Sequence, residues 1–180
     1  AYCYFELAQR WSALYDANAL CVPLVLKRDV EGKPARSTQG EVFQQILADI
    51  AQAETMLENE DGQASSGTIT IDVVRALKAR VQLGMKDWAS AYATAQDVIN
   101  SGGYTLVSDP VKLKAMWHED APSTELLMLM VAALTNQGRS MSQLGGYDAA
   151  KGVWQPDFLP TQGVVDLFDN ADIRKSIYFE

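Results

Sequence analysis

DVVRALKARVQLGMKDWASAYATAQDVINSGG, residues 72–103, decides the fold class. After Val73, the apolar residues Val74, Leu77, Val81 and Met85 recur at helical steps, giving a helix with one apolar face. Asp87 stands where an N-cap belongs, and Trp88, Ala91, Tyr92, Ala95, Val98 and Ile99 repeat at the same period until Asn100-Ser101-Gly102-Gly103 stops the run. Two helices, Asp72 to Met85 and Asp87 to Ser101, therefore form a tight hairpin about Gly84 to Lys86. Ala76, Ala79, Ala91, Ala93 and Ala95 allow the close approach with which tetratricopeptide-type pairs stack. Gly84, Trp88 and Ala91 loosely match the small and aromatic positions of that repeat. The fold class predicted is mainly α, tetratricopeptide-like helical hairpins with long irregular loops and little sheet.

Toward the N-terminus, Ser37-Thr38 with Glu41 is a capping arrangement ahead of Val42, Ile46, Leu47, Ile50, Ala53 and Leu57, which predicts a helix from about Gln39 to Leu57. Tyr4, Leu7, Trp11 and Leu14 form one stripe over residues 1–14, so an amphipathic helix is expected there. Trp11, Trp88 and Tyr92 lie on such stripes and are expected in the core. Pro23 keeps Cys21 to Leu26 extended, Lys27 to Ala35 is a surface loop, and Glu58 to Gly67 is a polar connector. Cys3 and Cys21, at opposite ends of the first helix, are too far apart for a disulfide and are expected as free buried thiols.

Beyond the hairpin, Tyr104 to Val107 is short and extended, and Pro110 leads into a short helix from Val111 to Trp117. Leu126 to Leu134 is apolar throughout and fits either a buried strand or a short buried helix. Gln137 to Gln155, rich in Gly, Ser and Asn, is expected as a long loop. Gln162 to Phe168 and Asp172-Ile173-Arg174 open two last helical turns. The chain reads as a single domain over residues 1–180, a helical scaffold over about 1–103 and a loop-rich part over about 104–180.

Fifteen Lys+Arg against 23 Asp+Glu give a net charge of -8, which disfavours nucleic acid as a partner. No apolar run reaches the eighteen or so residues of a membrane span. The first residues read as a helix already under way, so the chain is taken as a piece of a longer one, with any signal or lipid anchor upstream. One histidine and no CxxC leave no metal site, and no cofactor is implied. His118 is expected as a loop residue. Glu119, Asp120 and Glu125 carry no spacing that sets two carboxylates across a sugar, and the acidic residues are expected on solvated helix faces. Gly102-Gly103 and Gly145-Gly146 lack a phosphate-loop frame and read as turn glycines, so no catalysis is expected.

Binding, of a ligand or of a protein partner, is the class favoured. Sugar recognition uses flat aromatic faces with a few polar groups, and Tyr147, Trp154 and Phe158 offer that mixture beside Asp148, Gln155 and Asp157. The same aromatics could instead plug their loop onto the helices. Trp117 is a further candidate.

In the order of its segments the chain resembles the SusD/RagB family of outer-membrane nutrient-binding lipoproteins of Bacteroidetes. The resemblance rests on residues 1–7 and 22–26, then Arg36-Ser37-Thr38 with 41–50 and Ala53, then 75–83 with Lys86-Asp87-Trp88, Ala91 and Ala95. It continues through 99–106 and 125–128, and closes with Pro160, Leu167-Phe168 and Asp172-Ile173-Arg174. It implies a scaffold of tetratricopeptide-like pairs whose loops bind a glycan, oligosaccharide or other nutrient. It also implies docking on a SusC-like TonB-dependent transporter, and localisation at the cell outer membrane, surface-exposed or periplasm-facing, through a lipid anchor outside this chain. Family members are far longer and begin at a lipid-modified cysteine, a place neither Cys3 nor Cys21 occupies. The alternative is a tetratricopeptide-like protein-interaction module without glycan binding.

Overall fold

The computed structural model describes residues 1–28, 31–60, 62–101, 103–130, 145–148, 150–156 and 159–179, of which 145–148 and 153–156 by backbone alone. Thr38 and Glu41 form the capping box that starts α2 (Gln39–Met56): the Glu41 N–H donates to the Thr38 hydroxyl at 3.2 Å, and the Glu41 carboxylate accepts from the Thr38 N–H at 2.8 Å. The hydrogen bonds that the carboxylate accepts from Thr38, first from its N–H and then from its hydroxyl at 3.0 Å, hold the Glu41 carboxyl below its usual range. On its inner face α2 buries Val42, Phe43, Ile46 and Ile50, the set a helical period places on one side.

Around α2 the elements stack in chain order. α1 (Tyr2–Trp11) lies on α2, α2 on α3 (Ile71–Gly84), and α3 packs most extensively on α4 (Trp88–Asn100), which Asp87 caps by accepting from the Ser90 N–H. The core where these helices meet contains Phe5, Ala8, Cys21, Val42, Phe43, Ile46, Ile50, Val74 and Val81. Phe5 meets Phe43 edge to face at 6.2 Å, and Tyr15 meets Phe43 edge to face at 5.1 Å. Gly84 matters here: a Cβ on it would lie 3.3 Å from the Phe5 ring, so the end of α3 reaches Phe5 because it has no side chain. Cys21 enters the core on an extended segment, as Pro23 requires, tied to residues 36–38 by the Cys21 N–H to Ser37 carbonyl bond and by Arg36 donating to the Cys21 and Leu20 carbonyls.

On two helices only part of the predicted apolar stripe faces inward: Tyr4 packs on the core and Ala91 and Val98 are buried, while the large residues beside them lie outside. Trp11 is 70% exposed, Trp88 62% and Tyr92 71%, with Leu7, Leu14 and Ile99 also exposed. α1 has two apolar faces, and the one that closes on α2 and α3 carries Phe5 and the small Ala8; the helix ends at Trp11, leaving Leu14 beyond it. In α4 the inner face is Ala91 and Val98, because alanine gives α3 the closer approach and the aromatics are left outside. Cys3 is exposed as well, while Cys21 is buried; both are free. Asp72 departs from the expected solvated acidic faces: it is buried near the start of α3, with Arg75 at 3.5 Å. Burial, and then the charge of Asp72, raises the nearby Tyr104 phenol above its ordinary value.

After α4 come α5 (Pro110–His118), β1 (Gly145–Asp148), β2 (Val153–Pro156), α6 (Gln162–Val165) and α7 (Ile173–Tyr178). The strands pair antiparallel with Gly145 opposite Pro156 and Tyr147 opposite Trp154. Part of the expected 137–155 loop is thus a hairpin, with Gly145 and Gly146 inside a strand and Gly152 at φ +67° in the connection. Of the ambiguous 126–134 stretch, the described part runs extended beside residues 65–66, the Ser65 N–H donating to the Leu126 carbonyl and the Leu129 N–H to the Ser66 carbonyl; residues 131–134 lie outside the described residues. His118 closes α5 instead of lying in a loop. The fold is mainly helical, with this one two-stranded sheet among the described residues.

Candidate functional site

Asp109 accepts from the Val111 N–H and Pro110 takes the first helical position, which starts α5 and directs Leu113 and Met116 inward at a three-residue step. Asp172 starts α7 in the same way, accepting from the Arg174 N–H at 2.9 Å, and Ile177 follows inward. These three side chains form a second apolar cluster flanked by Val107, Leu126 and Ile173, so α5 and α7 lie against each other. The residues just after the inward pair, Trp117 and His118, then fall at the rim. So does Tyr178, next to Ile177.

This places Trp117, 57% exposed, edge to face with Tyr178 at 5.2 Å. Phe168 lies 6.4 Å from Tyr178 and 5.1 Å from Phe179, so four aromatic rings are joined in sequence. The Arg174 guanidinium lies over the Phe168 ring at 5.4 Å and is held in place by the Asp172 carboxylate at 2.6 Å. That bond lowers the Asp172 pKa to about 2 and raises Arg174 above its ordinary value. His118 Nε2 lies 3.2 Å from the Ile177 carbonyl oxygen, linking the ends of the two helices. Trp117, His118, Ile177 and Tyr178 line a cleft of about 420 Å³.

A flat indole, a phenol and an imidazole around a cleft of that volume suit a ligand with an apolar face and hydroxyl edges. Of the four residues singled out in sequence, the structure places Trp117 in this cleft. Tyr147 and Trp154 are register partners in the hairpin, and Phe158 lies outside the described residues. Sequence reading missed Tyr178, Phe168 and Phe179. The signal available was the step from Ile173 to Ile177, which makes a short helix of residues 173–178 and puts Tyr178 beside its buried face. Glu125 accepts from the Val107 N–H at 3.0 Å and so ties two segments of the backbone. A second cleft of about 430 Å³ lies between the end of α1 and the start of α2, where the buried Gln39 accepts from the Asp16 N–H and donates to the Ala13 carbonyl. Its amide is used by the fold. Among the described residues no group of three or more His, Cys, Asp or Glu is placed to hold a metal ion, and no helix is long and apolar enough to cross a membrane.

No family model matches the sequence, and no curated protein matches it significantly. Solved structures do match. A SusD superfamily protein of Bacteroides thetaiotaomicron is 25% identical with a TM-score of 0.74, over 95% of this chain and 39% of its own length. A Bacteroides vulgatus protein provisionally described as sugar binding is 25% identical with a TM-score of 0.67, over 82% of this chain and 35% of its own. A SusD superfamily protein of the same organism is 26% identical with a TM-score of 0.65, over 76% and 32%. The chain therefore spans between about a third and two fifths of the proteins it matches.

Proposed function

This chain is SusD-like in fold and in the order of its segments, and from that premise we propose that it is part of a surface protein that binds oligosaccharide and hands it to a SusC-like TonB-dependent transporter. The full-length protein sits at the outer membrane through a lipid anchor outside residues 1–180, and it binds without catalysing. Residues 1–103 serve as the helical scaffold and residues 104–180 carry the ligand side of a single domain.

The observation that carries the reading is the Trp117–Tyr178 pair at the mouth of a cleft, in a chain whose structural relatives include one described as sugar binding. Trp117 offers the stacking face, with Tyr178 and His118 for hydroxyls. Tyr147, Trp154 and Phe158 are proposed as further contacts for a longer glycan.

Calorimetric titration of the full-length protein with a panel of neutral oligosaccharides tests this. Trp117→Ala should weaken binding by about 1–3 kcal/mol, roughly fivefold to 150-fold, with the melting temperature unchanged. No heat from any glycan, or an affinity indifferent to Trp117, overturns the sugar reading. The second reading, a protein-interaction module, draws on the uncovered aromatic residues of α4, and co-purification of a protein partner without any glycan binding would select it.

A further inference from the structure

Ser65, just ahead of α3, holds a left-handed backbone conformation at φ +57°, which a residue with a Cβ keeps only where its neighbours enforce it. The enforcing groups belong to residues 123–126. The Ser65 N–H donates to the Leu126 carbonyl, its hydroxyl donates to the Ser123 carbonyl at 2.8 Å, and the same hydroxyl accepts from the Ser123 N–H at 2.7 Å. From another side, the Thr105 N–H donates to the Thr124 carbonyl and the Val107 N–H to the Glu125 carboxylate. Residues 123–126 are thus clamped between two stretches that adjoin the helical scaffold.

The clamp matters because the chain has two apolar cores, one where α1, α2 and α3 meet and one between α5 and α7. Leu126 packs against the second, on Leu113, Met116 and Ile177. Trp117 and Tyr178 directly follow Met116 and Ile177, so a shift of Leu126 moves the base on which the aromatic pair stands.

We propose that Ser65 is a positioning residue of the cleft: by pinning Leu126 against the α5–α7 cluster it holds Trp117 and Tyr178 in the arrangement on which a sugar ring stacks. This rests on the Trp117–Tyr178 cleft being the ligand site. Ser65 itself touches no ligand; it contributes preorganisation, since a platform already in place loses less freedom when the ligand arrives.

Ser65→Ala keeps the strained φ and removes both hydroxyl bonds, and Ser65→Gly, which is free of the strain, serves if the alanine variant does not fold. Both are compared with the parent in full-length protein carrying 5-fluorotryptophan, the Trp117 resonance being assigned by its loss in Trp117→Phe. The Trp117 fluorine resonance should shift or broaden while those of Trp11 and Trp88 stay in place. Affinity for the glycan that the parent binds should fall about threefold to tenfold, and in the Trp117→Ala background the Ser65 change should cost nothing further. An unmoved Trp117 resonance overturns the proposal. So do losses at Ser65 and Trp117 that simply add, and so does a lower melting temperature with affinity unchanged, which makes Ser65 a structural residue alone. If the parent binds no glycan, the sugar reading fails by itself, and the Trp117 resonance alone decides whether Ser65 positions the aromatic pair.

Discussion

Phe5→Ala should be among the most damaging single changes in the scaffold, and it separates the two possible faces of α1. Phe5 is fully buried, meets Phe43 edge to face at 6.2 Å, lies against Gly84, and has the Arg80 guanidinium 5.9 Å from its ring. Truncating such a side chain removes its transfer free energy and leaves a cavity that neighbours fill only in part, about 3–5 kcal/mol in total. With a urea slope of about 2 kcal/mol per M, the unfolding midpoint of the 180-residue chain should fall by about 2 M. Trp11→Ala, on the same helix but 70% exposed, should shift stability by no more than about 0.5 kcal/mol. If Phe5→Ala fails to fold, Phe5→Leu keeps most of the volume and should cost about 1 kcal/mol, which still exceeds the effect of Trp11→Ala. Equal midpoint shifts for Phe5 and Trp11, or a larger one for Trp11, would refute the assignment of the buried face.

Gly62→Ala should lower thermal stability by about 1–3 kcal/mol, since a Cβ there runs into the buried Asp72 carboxylate and comes within 2.8 Å of the Tyr104 hydroxyl; an unchanged melting curve would show that this corner yields freely. Asp172 titrates near 2, below the ordinary 3.8, because Arg174 donates to it, so the anchoring of α7 is complete above pH about 4 and is lost as the pH falls toward 2. In Arg174→Gln the carboxyl titration followed by NMR should move up toward the ordinary value, and an identical titration in both proteins would mean that the pair does not form. The effect of Trp117→Ala on glycan affinity completes the set.

Local signals were readable because they depend on neighbours in sequence. The Thr38/Glu41 capping box, the Asp87 cap, the Pro110 start and the Pro23 interruption each act within a few residues, and the helices form where these signals put them. The 145–156 hairpin was hidden because its glycines resemble loop glycines until the pairing partner is known.

What the sequence determined by itself was the period: where helices run, how they are capped, and that the chain is mainly α with a SusD-like succession of segments. It did not determine which side of each helix faces inward. On α1 and α4 two apolar faces compete, and only packing showed that the faces with Ala8 and Ala91 close while Trp11, Trp88 and Tyr92 stay outside, because small side chains let backbones approach and large ones do not. The cleft likewise exists only in three dimensions. Trp117 and Tyr178 lie far apart in the chain and meet because Leu113, Met116 and Ile177 share one apolar cluster, a choice made by burial between distant segments.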